Sequence, residues 1–169
     1  MLLIVFLCSI FSCVILKDDP LSLDREANSG TDIRLDGYWW QKLKLAHEPH
    51  VGIYFFYKDG VFLQGGAISI AELDEYDFSS DEFRKASLRS KTGWGVFQTS
   101  QSTIQIETWL ASSGGRLKTG IKTGEIINNE MFVIYSSLNN YSGETSARND
   151  TFYFKEFSPK PDSTNTFIK

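Results

Sequence analysis

Cysteine is almost absent from this chain of 169 residues. The only two, Cys8 and Cys13, both lie within the first apolar run. The body of the chain therefore has no disulfide and no thiolate metal site. Its stability must come from core packing, and 13 Phe, 7 Tyr and 4 Trp provide large side chains for a core.

Histidine is equally scarce, and His47 and His50 are the only two in the chain. With Glu48 between them, they are a conceivable start of a metal site. A catalytic zinc site needs three protein ligands in a fixed geometry, and Pro49 places the pair in a turn between strands. The pattern favours a solvated hairpin turn over a metal centre, and we expect no cofactor.

A large excess of charge of one sign is also lacking. The net charge is -4, and acidic and basic residues are mixed along the chain. This composition gives no electrostatic case for binding nucleic acid or an anionic membrane surface. The length suits one ordinary domain rather than two.

Motifs of the common enzyme classes are missing. No Gly-x-Ser-x-Gly, phosphate loop or dinucleotide fingerprint occurs in the sequence. The acidic pairs Asp74-Glu75 and Asp81-Glu82 stand beside many basic residues, which is typical of a solvated surface rather than of acid–base catalysts. We therefore expect a protein that is not an enzyme.

No apolar run is long enough to cross a membrane as a helix. Residues 2–16 carry no charged side chain, but these 15 residues fall short of the roughly 20 that a spanning helix needs. The length favours the apolar region of a signal peptide over a retained spanning helix.

The end of this run, Ile10-Phe11-Ser12-Cys13, resembles a bacterial lipobox. The resemblance implies a signal peptide over residues 1–12 and an acylated Cys13 as the new N-terminus, with chains such as palmitate giving stable membrane attachment. It further implies an outer-membrane lipoprotein of the cell envelope. The following Lys17-Asp18-Asp19 resembles a signal that sends lipoproteins to the cell surface. An ordinary secretory signal cut near Ser12, or an uncleaved anchor, remains the alternative.

The chain after the anchor divides into three parts. The polar stretch 20–35 shows no sustained period, so residues 13–35 are interpreted as the lipid anchor and a flexible tether. Residues 36–157 are predicted to fold as one domain, and residues 158–169 to form a flexible tail.

Period-two alternation dominates the predicted domain, and Asp59-Gly60 is a strong hairpin signal. In residues 116–123 the bases Arg116, Lys118 and Lys122 share one face of a strand. Short connections favour antiparallel neighbours, and closure into an eight-stranded up-and-down barrel would remove exposed edges. The predicted strands are 37–46, 51–58, 61–70, 93–99, 102–110, 116–127, 130–137 and 151–157.

Two connections and one strand carry further predictions. Residues 79–91 predict a short helix between the third and fourth strands, with a capping box from Ser79 to Glu82, lying across one barrel end. Gly65-Gly66 predicts a bulge or bend. Residues 138–150 predict a long loop at the barrel mouth, either a recognition loop or one without a role.

At the first predicted strand, Gly37-Tyr38-Trp39 resembles the Gly-x-Trp opening of the lipocalin-like superfamily of calycin barrels. The resemblance implies that Gly37 allows a tight turn into the barrel and that Trp39 plugs its closed end. Lipocalins commonly place an arginine near the final strand, packed over this tryptophan. Here the last predicted strand has Lys155 instead.

The leading hypothesis is a non-enzymatic, membrane-anchored module that binds a small apolar or amphipathic ligand. Its candidate lining residues are the aromatics Trp39, Phe55 and Trp94, if they point inward. The alternative is a barrel that is packed shut and serves as a protein–protein interaction or cell-envelope structural module.

Overall fold

A closed barrel of eight antiparallel strands makes up most of the chain. The computed structural model describes residues 17–43, 49–111 and 115–169. Each strand pairs with its sequence neighbours, and β1 pairs with β8 to close the sheet. The predicted all-β fold and up-and-down barrel are confirmed. The strands are β1 Gly37–Leu43, β2 His50–Phe56, β3 Val61–Ser69, β4 Trp94–Ser100, β5 Thr103–Leu110, β6 Lys118–Asn128, β7 Met131–Asn139 and β8 Thr145–Glu156.

The barrel has two distinct ends. Odd-numbered strands run from the end that carries Gly37 to the end that carries Leu43, and even-numbered strands run back. We call the first the closed end, because Trp39 fills it, and the second the open end. The β2–β3, β4–β5 and β6–β7 turns lie at the closed end.

The last strand differs from its prediction. β7 continues to Asn139 and β8 begins at Thr145, so only residues 140–144 connect them. Leu138 pairs with Thr145 and Ser136 with Ala147. The predicted long loop over 138–150 is therefore wrong. These strand segments are polar on both faces, and polar residues give no alternation to detect.

Apolar side chains form two layers, one on each face of the sheet. The interior cluster fills the closed half of the barrel, where the Phe132 and Phe152 rings stack with centroids 4.6 Å apart. The outer cluster lies on the outside of β1–β5. Large interior members are Trp39, Tyr54, Phe56, Phe62, Phe97, Ile104, Ile106, Phe132, Ile134 and Phe152. Large outer members are Tyr38, Phe55, Leu63, Phe78, Phe83, Trp94, Val96 and Trp109.

The helix, α1 Asp81–Ser87, lies between β3 and β4 as predicted. Its N-cap is Ser80, whose Oγ accepts a hydrogen bond from the Phe83 amide. The predicted cap Ser79 is wrong, because its hydroxyl donates to Asp77 instead. The helix covers the outer cluster and does not lie across a barrel end. Phe83 packs against Phe78 with ring centroids 5.4 Å apart.

The segment predicted to be a tether packs on the barrel over its described part. We call residues 17–36 the N-terminal strap. It runs along the outside of β4 and β5 from the open end to the closed end, where Ile33 joins the interior cluster. Glu107 on β5 accepts hydrogen bonds from the Ser22 and Leu23 amides at 2.7 Å each. The predicted domain start at Asp36 is therefore too late.

The C-terminal segment also packs, so the predicted flexible tail over 158–169 is wrong. Lys160 donates from Nζ to the carbonyl oxygens of Leu35 and Phe56 at 2.6 Å each. Ile168 is buried in the outer cluster, and Asp162 pairs with Arg84 of α1. These contacts are between segments far apart in sequence, which local patterns do not reveal.

Candidate functional site: the open half of the barrel

The closed end is sealed by Trp39 and Arg34. The Trp39 side chain is fully buried, and its indole Nε1 donates to the Arg34 carbonyl oxygen at 3.0 Å. The Arg34 guanidinium lies 4.1 Å from the Phe154 ring centroid and pairs with Asp36 and Glu156. An arginine thus stands at this end, supplied by the strap and not by the last strand.

Gly37 is required here for a close approach and not for a turn. A Cβ at this position would lie 2.1 Å from the Lys155 carbonyl oxygen on β8 and 2.8 Å from the Phe154 ring. Only a glycine lets β1 and β8 meet at this point.

The inward side chains change character toward the open end. Lys122 pairs with Ile106 on one side and Ser137 on the other, so it points into the barrel with the interior cluster. We call this region the open half. By the same register its inward residues include Gln41, Leu43, Thr108, Leu110, Gly120, Lys122, Ser137, Ser146 and Asp150. Arg148 joins them through its hydrogen bond to the inward Ser137.

Lys122 stands at the boundary between the filled half and the open half. Its Nζ donates to the Tyr54 hydroxyl and lies 5.0 Å from that ring's centroid. Among the residues that the structure describes, no carboxylate forms an ion pair with Lys122. The second inward cation, Arg148, is exposed and donates from Nε to Ser137 Oγ at 3.2 Å.

The wall of the open half is incomplete at two places. β3 pairs with β4 only over Val61–Leu63, because β3 bulges at Gly65-Gly66, as predicted, and the chain then leaves toward α1. β1 pairs with β8 only over Gly37–Trp40. Side openings result between β3 and β4 and between β1 and β8.

Three adjoining clefts meet at Lys122. The mouth of the barrel holds a cleft of about 240 Å³, lined by Thr108, Leu110 and Ser137 among others. The β3–β4 opening contributes about 510 Å³ under α1, and the β1–β8 opening about 1080 Å³ beside Arg148 and Asp150. Lys122 lines all three clefts. The arrangement presents a cationic donor at the floor of an open space large enough for a small ligand.

The structure places the three predicted lining residues in different layers. Trp39 points inward but lies in the filled half, away from the clefts. Phe55 and Trp94 belong to the outer cluster, where the Trp94 indole donates to the Ser87 carbonyl oxygen of α1 at 2.9 Å. The prediction that these two point inward is wrong. Both faces of β2 and β4 are apolar, so alternation could not show which face is inside.

Sequence reasoning missed Lys122 and Arg148 as site residues. The alternation in β6 did place Lys122 on a separate face from Ile121, but charge suggested solvent rather than the barrel interior. Arg148 was assigned to the predicted loop. The signal that could have found Lys122 is its position on a strand opposite Ile106, which requires the strand register.

The predicted acylation site, Cys13, lies outside the described residues. His47 and Glu48, from the turn for which no metal centre is predicted, also lie outside them. His50 opens β2, opposite Leu43 and Ser69. Across residues 17–43, 49–111 and 115–169, no three His, Cys, Asp or Glu side chains cluster closely enough to hold a metal ion.

Comparisons with protein-family models, curated proteins and solved structures find no match to this chain. Within the described residues, no helix has the length and apolar character needed to span a bilayer.

Proposed function

We propose that this chain is a non-enzymatic binding module of divergent lipocalin-like type, which holds a small amphipathic ligand in the open half of its barrel. The observation that carries the proposal is Lys122, an inward ammonium at the floor of three clefts with Tyr54 as its hydrogen-bond partner. The closed eight-stranded barrel and the Gly37–Trp39 arrangement at its closed end support the lipocalin-like kinship.

The chemistry of the open half favours a ligand with an anionic or strongly accepting group. Lys122 offers an ammonium that is not neutralised by a carboxylate within the described chain, and a charge-assisted hydrogen bond is about twice as strong as a neutral one. Leu43 and Leu110 line the upper walls and suit an apolar portion. Because aromatic rings fill the closed half, the ligand binds with its polar group inward and its apolar part toward the rim.

Replacement of the central cation tests this proposal. Lys122→Met keeps the length of the side chain but removes the charge, and we expect affinity for an anionic amphiphile such as dodecanoate to fall about 10-fold or more. Affinity for the cationic dodecyltrimethylammonium should not fall. Titration followed by tryptophan fluorescence or calorimetry measures both.

The matched control is Lys85→Met, which removes the same charge from the exposed side of α1. It should leave dodecanoate binding unchanged. Equal losses in both variants would mean that net charge alone sets the affinity, and no loss in Lys122→Met would contradict the proposed site.

The module is further proposed to be a bacterial lipoprotein, anchored through acyl chains on Cys13 in the outer membrane of the cell envelope. The lipobox-like segment before Cys13 supports this, and several acyl chains give stable attachment where one is marginal. Cys13→Ala should abolish the acyl mass on the mature chain and release the protein into the soluble fraction. Retention of that variant in the membrane would contradict the anchor.

The alternative function, an interaction or structural module, is supported by one feature of the outer surface. Tyr135 and Tyr153 on the uncovered face of β7 and β8 are 50% and 42% exposed, and Tyr153 packs beside Trp40. Exposed aromatic side chains are enriched at protein interfaces. This function would be favoured by two results together. The protein would bind neither dodecanoate nor dodecyltrimethylammonium, and Tyr153→Ser would abolish binding to a protein partner that the wild type binds.

A further inference from the structure

The N-terminal strap begins at the open end of the barrel. Leu117 donates from its amide to Asp18 Oδ1 at 2.9 Å, and the Asp19 amide donates to the Leu117 carbonyl oxygen at 2.9 Å. The Trp109 indole donates to the Asp19 carbonyl oxygen at 2.8 Å. Leu117 stands just before β6 and Trp109 near the end of β5, so both mark the open end.

Ion pairs also fix Asp18 and Asp19 to the open end of the barrel. Lys91 pairs with Asp18 at 3.0 Å, and Lys118 and Arg116 lie within 3.5 Å of Asp19. The strap is therefore fixed to the barrel from Asp18 onward, and it cannot act as a long flexible tether.

We propose that the open end of the barrel faces the lipid bilayer. This inference rests on the proposed anchor at Cys13. Only four residue steps separate Cys13 from Lys17, and a fully extended chain of that length spans at most about 14 Å. The closed end is about 20 Å farther along the barrel, given strands of this length and the usual tilt.

Side chains at the two ends agree with this orientation. Tyr141 in the β7–β8 turn is 68% exposed, and Ile70 after β3 is also exposed, which are residue types that suit a membrane–water interface. The closed end instead presents Arg34 surrounded by Asp36, Glu130 and Glu156. This cluster has three carboxylates to one guanidinium, and an anionic lipid surface repels its net negative charge.

The orientation has a consequence for the binding site. The mouth and the two side openings around Lys122 lie in the half of the barrel nearest the lipid. A membrane amphiphile can then reach Lys122 directly from the bilayer without crossing bulk water.

Fluorescence resonance energy transfer, from a dye on a single introduced cysteine to labelled lipids, tests the orientation. The acylated mature chain offers no free thiol, because its body lacks cysteine. Tyr141→Cys or Glu72→Cys places a donor dye at the open end, and Asn129→Cys places it in the exposed closed-end turn. Each protein is reconstituted in vesicles of phosphatidylethanolamine and phosphatidylglycerol that carry a headgroup-labelled acceptor lipid.

Both open-end probes should show transfer about twofold or more above the Asn129→Cys probe, because the ends are about 20 Å apart. Equal or greater transfer from Asn129→Cys in an acylated chain overturns the orientation and leaves the anchor and the binding site intact. A mature chain whose mass shows no acyl groups on Cys13 overturns the anchor and the orientation with it. Ligand binding by the soluble Cys13→Ala variant is measured separately and depends on neither.

Discussion

Lys160 shows how burial changes the chemistry of a single residue in this chain. Its Nζ donates to two backbone carbonyl oxygens and lies 4.6 Å from the Tyr57 ring centroid. Burial lowers the pKa of this ammonium to about 8, and the carboxylates of Asp36 and Asp59 offset only part of the effect.

The lowered pKa of Lys160 predicts a pH dependence of stability. Between pH 8 and the ordinary lysine pKa of 10.5, the unfolded chain holds this proton and the folded chain does not. The free energy of unfolding therefore rises with pH in that window, by at most about 1.4 kcal/mol per unit. Below pH 8 the contribution is constant.

Lys160→Met removes this titration and serves as the reference. Urea unfolding at pH 7, 8, 9 and 10 should show the wild type gaining stability relative to the variant only above pH 8. A difference between the two proteins that stays flat from pH 7 to 10 would show that the folded pKa is not lowered.

Other residues explain why the site was only partly predictable. Glu107 is fully buried on the outer face of β5, where the strap amides and Asn140 donate to its carboxylate. In the sequence it alternates with Ile106 and reads as a solvent-facing residue. Lys122 was misread in the same way. A charged side chain in a strand is expected to face solvent. Only knowledge of its hydrogen-bond partner, which is far away in sequence, would change that expectation.

At the scale of elements, period-two alternation was sufficient to predict a strand when one face of that strand was apolar. β5 and β6 follow their predicted bounds closely, because Ile104, Ile106 and Ile121 alternate with polar residues. The first half of β8 and the strap were not recognised. The first half of β8 lines the open half with polar side chains. The strap is held by hydrogen bonds and ion pairs to residues far away in sequence, for which local patterns carry no signal.

The N-cap of α1 provides a prediction at this scale. Ser80→Ala removes the acceptor of the Phe83 amide and should lower the free energy of unfolding by about 1 kcal/mol. Ser79→Ala is the matched control, because Ser79 is exposed and caps no helix amide. Chemical denaturation followed by circular dichroism compares them. A larger loss of stability from Ser79→Ala than from Ser80→Ala would mean that Ser79, and not Ser80, is the N-cap.

At the scale of the whole molecule, closure was predictable from eight consecutive strands whose edges needed partners. The division of the barrel into a filled half and an open half was not predictable from the sequence. It depends on which face of each strand turns inward and on how far each pair extends, and these are properties of register. The incomplete β1–β8 pairing beyond Trp40 is one such property.

Closure between β1 and β8 depends on Gly37. Gly37→Ala places a methyl group against the Lys155 carbonyl oxygen and should lower the free energy of unfolding by about 3 kcal/mol or more. In Gly93→Ala the new methyl group would meet only ordinary contacts, 3.5 Å from the nearest atom. That variant should remain close to wild type in urea unfolding. Equal effects would mean that the barrel does not close at Gly37.

The central claim is that the open half around Lys122 is a binding site for an anionic amphiphile. Amide chemical shifts recorded by NMR during a dodecanoate titration of the soluble Cys13→Ala chain test it most directly. We expect shifts to concentrate at Thr108, Gly120, Lys122 and Ser137 and to leave the closed half unchanged. Shifts confined to the outer face near Tyr135 and Tyr153, or no shifts at all, would contradict it.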